Sequence, residues 1–147
     1  MENFKNVKEQ ILQIARDNSA CQEGFSKAEK SENYSELLAV VVRYSNWCYN
    51  AKILHESILS QIPCEELENA NIFYKKEGVV QREGFAIYHS STSKHYDSST
   101  SKHYDSSTFG SVYLLKDQSV IKDQAIIRER STGKVYMRKG AFEIVML

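Results

Sequence analysis

The side chains of this sequence that could do chemistry are concentrated in a tandem repeat. The octapeptide SKHYDSST occupies residues 93–100 and, letter for letter, residues 101–108. Each copy supplies one histidine and one aspartate, which are His95 with Asp97 and His103 with Asp105. Imidazole and carboxylate groups are common metal ligands, so His95 and His103 are weak candidates for a metal site. If two octads form one coil, however, the two histidines lie on opposite faces and cannot share an ion. We therefore expect no metal and no other cofactor.

Tyrosine recurs in phase with this repeat, because a diverged copy, FAIYHSST at 85–92, precedes the two identical copies. The three residues are Tyr88, Tyr96 and Tyr104. A tyrosine combines apolar area with a polar tip, so a row of them among serines and threonines could contact a sugar or a peptide. The alternative, which we favour, is a packed ladder of rings surrounded by solvated hydroxyl groups.

A basic group near the C-terminus is a second candidate binding surface, because clustered cations can contact phosphate. Its members are Arg128, Arg130, Lys134, Arg138 and Lys139. Glu129 and Glu143 dilute its charge, and charged hairpin ends commonly protect a sheet edge. The whole chain has net charge zero. Residues 1–71 hold seven Lys/Arg and eleven Asp/Glu, and residues 72–147 hold twelve Lys/Arg and eight Asp/Glu. This split favours two solvated surfaces over a nucleic-acid partner.

The chain carries no recognisable catalytic motif. There is no GxSxG, no glycine-rich phosphate loop and no HExxH, which are the patterns that common hydrolases and nucleotide-binding enzymes use. Cys48 could pair with His55 only if the fold brought them together. Its position on an apolar stripe instead favours a buried core thiol. We therefore predict that the chain is not an enzyme.

Cysteine usage and hydropathy predict the compartment. The three cysteines are widely spaced and form no CxxC pattern, which is typical of free thiols in a reducing cytoplasm. The first residues, MENFKNVKEQ, contain no apolar signal region. No apolar run approaches the roughly 20 residues that span a bilayer. We expect a cytoplasmic protein without a membrane partner.

The elements that must position these residues change type near residue 71. Before it, apolar residues recur three and four positions apart, which predicts amphipathic helices, the first over about residues 3–17. Ser19 with Gln22 and Asn33 with Glu36 have capping-box spacing. They predict a short second helix and a third that continues to about Asn50.

After that point the apolar period becomes two, with glycines between short runs, which predicts strands. An octad divides into about five strand residues and three turn residues. We therefore predict an α+β protein with an antiparallel helical cap over 1–71 and a β-solenoid over 72–147. Its octad repeats span 85–108, with two octads, or sixteen residues, in each coil.

Short motifs in both halves resemble a loose group of small bacterial and phage or mobile-element proteins. In the first half they are Ala15-Arg16-Asp17-Asn18, Ala20-Cys21, Gly24 and Trp47-Cys48. In the second half they are Tyr96-Asp97-Ser98-Ser99-Thr100 and its copy at 104–108, similar to the Tyr-Asp-Asn-Ala-Thr octads of that group. The resemblance implies a helical leader followed by a β-solenoid, and it implies no activity or active site.

The sequence is compatible with three functions. The first is a non-enzymatic structural or protein-interaction module that presents a repetitive solenoid surface. The second is a mobile-element inhibitor or nucleic-acid-competing protein that uses the charge split. The third is a left-handed β-helix acyltransferase, suggested by a six-residue repeat in LKDQSVIKDQAII at 115–127. An open solenoid end also predicts either a homodimer through the C-terminal coil or an edge guarded by Arg138 and Lys139.

Overall fold

The computed structural model describes residues 2–81, 84–95, 99–104, 108–112, 120–121, 126–128, 135–139 and 143–146. The chain divides into two compact units, Met1–Ala70 and Asn71–Leu147. This boundary lies one residue before the predicted one. Among the described residues the helices belong to the first unit and the strands to the second, in agreement with a mixed fold that begins with helices.

The first unit contains six described helices: α1 (Glu2–Asp17), α2 (Gln22–Lys30), α3 (Tyr34–Arg43), α4 (Ser45–Asn50), α5 (Glu56–Leu59) and α6 (Cys64–Asn69). The apolar stripe of α1 is buried as predicted, through Phe4, Val7 and Ile11. Leu37 and Leu38 of α3 are also buried. Burial of such stripes supplies most of the stability of helices this short.

The two predicted capping boxes behave differently. The Asn33 side chain accepts a hydrogen bond from the Glu36 backbone N–H at 2.9 Å, so α3 begins as predicted. Ser19, in contrast, does not cap α2, which begins after Cys21. Ser19 has a positive φ of 55°, and its N–H donates to the Arg16 carbonyl. It therefore closes α1, and the prediction that it starts the second helix is wrong.

The predicted long third helix is broken at Tyr44. This residue has φ −108° and ψ 36°, outside the helical region, and it separates α3 from α4. The backbone bonds continue across the break, from Tyr44 N–H to the Val40 carbonyl and from Cys48 N–H to the Tyr44 carbonyl. Three consecutive valines precede this point, and β-branched residues weaken a helix. The Tyr44 ring lies next to Gly24 of α2.

The second unit contains ten described strands: β1 (Ile72–Tyr74), β2 (Val79–Gln81), β3 (Gly84–His89), β4 (Thr92–His95), β5 (Ser99–Tyr104), β6 (Thr108–Val112), β7 (Val120–Ile121), β8 (Ile126–Arg128), β9 (Val135–Lys139) and β10 (Glu143–Met146). Successive strands up to β8 alternate between two sheets. One sheet has the order β1-β3-β5-β7 and the other β10-β9-β8-β6-β4-β2. Pairing is parallel except for β8–β9 and β9–β10, which are antiparallel.

The parallel partners are separated by similar lengths of chain. Ile72 pairs with Ile87, fifteen residues later. The separation is fourteen residues between β2 and β4, and it reaches eighteen between β5 and β7. Ser93 pairs with Phe109, sixteen residues later. The first octad supplies residues 93–95 of β4 and 99–100 of β5, and the second supplies residues 101–104 of β5 and the first residue of β6.

Hydrogen bonds connect successive corners of this unit. Lys75 and Ser90, which follow β1 and β3, both have positive φ, 49° and 52°. The Ser91 hydroxyl donates to the Phe73 carbonyl at 2.7 Å and accepts from the Lys76 N–H at 3.2 Å. Residues after β1 and after β3 therefore turn in the same way.

Candidate functional site

The helical unit contains an apolar pocket of about 320 Å³, which we call the helical pocket. It lies among α1, α2, α3 and α4. The lining residues are Ile11, Ala15, Ser19, Ala20, Cys21, Gly24, Phe25, Ala28, Val40, Val41, Tyr44, Trp47, Cys48 and Ile53. None of these side chains is charged, so the pocket favours apolar contents.

Small residues on α1 and α2 leave room for the helical pocket. Ala15 and Ala28 are buried and line it. Gly24 brings α2 close to Tyr44, because a Cβ atom at Gly24 would lie 3.2 Å from the Cys21 Sγ and 3.2 Å from the Tyr44 Cε2. Any larger residue at this position would have to displace the tyrosine ring or the thiol.

The mouth and the interior of the pocket differ in exposure. Cys21 is exposed, and the Tyr44 and Trp47 rings are half-buried. Cys48 is only 5% exposed. Burial raises the pKa of the Cys48 thiol to about 12, so this thiol stays protonated near neutral pH and is a poor nucleophile. The sequence-based interpretation of Cys48 as a core thiol is confirmed.

Two guanidinium groups lie over aromatic residues of the pocket. The Arg16 Cζ is 5.5 Å from the centroid of the Phe25 ring. The Arg43 Cζ is 5.7 Å from the centroid of the Tyr44 ring. Such distances are typical of cation–π contacts. They place two positive charges next to an otherwise apolar site.

The tyrosines predicted for a binding surface are located differently. Tyr88 and Tyr104 are both 0% exposed, so the candidate binding surface is wrong for them, and their burial agrees with the packing that we favoured. The Phe73 ring stacks on the Tyr88 ring at 5.1 Å, and the Tyr88 hydroxyl donates to the Gln81 Oε1 at 3.1 Å. Desolvation raises the pKa of Tyr88.

The predicted ladder of tyrosines does not form between these two residues. Tyr88 pairs with His103, and Tyr104 pairs with His89. Because the register is fifteen residues and the repeat sixteen, the two rings lie on opposite faces of their sheet. The difference of one residue between the register and the repeat therefore puts Tyr88 and Tyr104 on opposite faces, although the two tyrosines occupy the same position of the repeat.

The predicted basic group is only partly within the described residues. Arg128 lies on β8, and Arg138 and Lys139 lie on β9. Tyr96, Arg130 and Lys134 lie outside the described part of the chain. The strand order puts β10 at the edge of its sheet. Arg138 and Lys139 are therefore one strand in from the edge that they were predicted to guard.

The two weak metal candidates lie on different strands of the second unit. His95 lies on β4 and His103 on β5, which belong to different sheets. Within the residues that the structure describes, no group of three or more His, Cys, Asp or Glu side chains could hold an ion. His55, which was considered as a partner of Cys48, caps α5. Its Nδ1 accepts a hydrogen bond from the Ser57 N–H at 3.2 Å.

Sequence reasoning missed the helical pocket, because its lining residues belong to stripes that were assigned to a packed core. The signal that could have revealed it is the concentration of small residues at Ala15, Ala20, Gly24 and Ala28 opposite large aromatic ones. Volume cannot be read from such a pattern, since it depends on the positions of the helix axes.

No protein-family model, curated protein or solved structure matches this chain. The resemblance to mobile-element proteins therefore stays a prediction. Of the described helices, none has both the length and the apolar character that a bilayer-spanning segment requires.

Proposed function

We propose that this chain is a non-enzymatic protein-interaction module whose second unit is a β-solenoid. The observation that carries the proposal is the parallel pairing of alternate strands in two sheets, at separations of fourteen to eighteen residues. In a solenoid each coil buries its core against its neighbours, and the outward faces form an extended surface. Such surfaces commonly bind other proteins.

A feature of β2 supports a partner that packs on the strand unit. Val80 is 51% exposed, the largest exposure of any large apolar side chain among the residues whose side chains are described. Its strand is outermost in its sheet. Exposed edge strands can pair with an added strand, and an apolar side chain there offers packing area to the partner.

The test is affinity capture from the native cell with the full chain as bait. We expect a protein that wild type retains and Val80→Lys does not. Ser35→Lys, at an exposed position of α3, adds the same charge elsewhere and should retain it. Two results would count against the proposal: release of the captured material by nuclease, which favours the nucleic-acid alternative, or turnover of acyl-CoA donors, which favours the acyltransferase.

A further inference from the structure

The helical pocket and the charges at its mouth together define a ligand class. We propose that the pocket binds a medium-chain carboxylate, with the alkyl chain in the pocket and the carboxylate at the guanidinium group of Arg16 or of Arg43, each of which lies over an aromatic ring that lines the pocket. This inference concerns the first unit and does not depend on the function proposed for the second.

The volume sets the length of the alkyl chain. An apolar cavity of about 150 Å³ holds benzene, which corresponds to roughly 25 Å³ for each carbon atom. The helical pocket, at about 320 Å³, has room for about twelve carbons on this scale. It also lies at the lower end of the range of about 300–1,000 Å³ that is usual for small-molecule sites. A carboxylate of about ten carbons fits with its head group at the mouth.

The lining sets the chemistry of the tail. Its side chains are aliphatic or aromatic apart from the hydroxyl groups of Ser19 and Tyr44, the thiols of Cys21 and Cys48, and the Trp47 indole N–H. A ligand with a charge inside this lining would lose hydration without gaining a partner of opposite charge. An alkyl chain gains free energy by leaving water for the same site.

The rim sets the charge of the head. The Arg16 Nη1 lies 3.2 Å from a Glu9 oxygen, and the Arg43 Nη2 lies 3.7 Å from a Glu23 oxygen. All four side chains are substantially exposed, and exposed ion pairs of this kind contribute little. Exchange of either partner for a ligand carboxylate is therefore inexpensive, and a guanidinium group can bind a carboxylate through two N–H donors.

Trp47 offers a direct readout, because it lines the pocket and is the single tryptophan of the chain. The probe is 10-bromodecanoate, whose bromine quenches indole fluorescence on contact. We expect saturable quenching that unlabelled decanoate reverses. Ala28→Leu fills the pocket and should weaken binding by about tenfold or more. Ala39→Leu adds the same side chain at an exposed position of α3 and should bind like wild type.

The head group is tested with 10-bromodecan-1-ol, which carries the same tail and quencher without the charge. The carboxylate should bind wild type about fivefold more tightly than the alcohol, the effect expected of one exposed ion pair worth about 1 kcal/mol. In Arg16→Gln/Arg43→Gln that preference should disappear. It should persist in Lys5→Gln, which removes a positive charge from an exposed position of α1.

A labelling experiment covers the case in which Ala28→Leu does not fold. Cys21 and Cys64 are both exposed, and only Cys21 lines the pocket. Decanoate should slow the alkylation of Cys21 by iodoacetamide, measured by mass spectrometry, and leave Cys64 unchanged. Equal rates at Cys21 with and without decanoate, or quenching that does not saturate, would overturn the proposal. Equal affinity for alcohol and carboxylate would overturn the assignment of the head group.

Discussion

Deletions within the repeat test the architecture of the strand unit most directly. Ser93 pairs with Phe109, so removal of residues 93–108 brings Phe109 to the position that Ser93 leaves. Later strands then stay in the sheets they occupy now. Removal of one octad is different, because the strand that follows then has to join the other sheet. Deletion of 93–100 and deletion of 101–108 give the same protein, since the copies are identical.

The sizes of the two effects follow from the number of residues affected. At about 0.05–0.15 kcal/mol for each residue, loss of the sixteen residues 93–108 costs about 1–2 kcal/mol. Loss of one octad removes eight residues and also displaces residues 109–147. On the same scale its cost is about three times larger. The sixteen-residue deletion removes both Tyr96 and Tyr104, whereas the octad deletion removes one tyrosine, so the loss of rings by itself would predict the opposite order.

The assay is thermal unfolding followed by far-UV circular dichroism, with Trp47 fluorescence as a separate signal from the helical unit. We expect a cooperative transition close to that of wild type for the sixteen-residue deletion and a clearly lower or broader one for the single octad. Identical transitions for both deletions would refute the sixteen-residue coil. Two unchanged transitions would show that the repeat contributes nothing to the fold.

Four further outcomes follow from single residues. Asn33→Ala removes the cap of α3 and should lower the unfolding free energy by about 0.5–2 kcal/mol in urea titrations. Leu37→Ala leaves a cavity at a fully buried position and should cost about 2–5 kcal/mol in the same titrations. Tyr88→Phe leaves the Gln81 acceptor without this donor and should cost about 1–3 kcal/mol. The folded chain keeps the Cys48 proton up to about pH 12, and the unfolded chain releases it near pH 8.5. The unfolding free energy should therefore fall as the pH rises above about 8.5. The slope is about 1.4 kcal/mol for each pH unit, and Cys48→Ala should lack this contribution.

Local sequence signals correctly predicted those features of the helical unit that depend on a single short-range interaction. The spacing of apolar residues located α1, predicted over about 3–17 and found at Glu2–Asp17. Asn33 was recognised as the cap of α3 because its short side chain can accept a hydrogen bond only from a nearby backbone N–H. Ser19 has the same spacing to Gln22 and yet serves the preceding helix, since the end of α1 and the start of α2 compete for the same few residues. Spacing alone does not resolve that competition.

The helical pocket depends on relations that no single stretch of sequence contains. The groups that lie next to Gly24 are the Tyr44 ring and the Cys21 thiol. Tyr44 is also the residue at which the helix breaks, and periodicity did not show this break, because the apolar stripe continues from α3 into α4. Two helices with one stripe look the same in sequence as one long helix.

The repeat shows why identical sequences need not share an environment. The first copy pairs through Ser93 with Val79 and Phe109, and the second pairs through Lys102 with Ile87 and Val120. Among the described residues of the two copies, none pairs with a residue of the other copy, and each copy is placed by strands of different sequence. A duplicated unit of this kind is accepted when its length matches the separation between paired strands. Sixteen residues meet that condition between β4 and β6, which is where the two copies together fit.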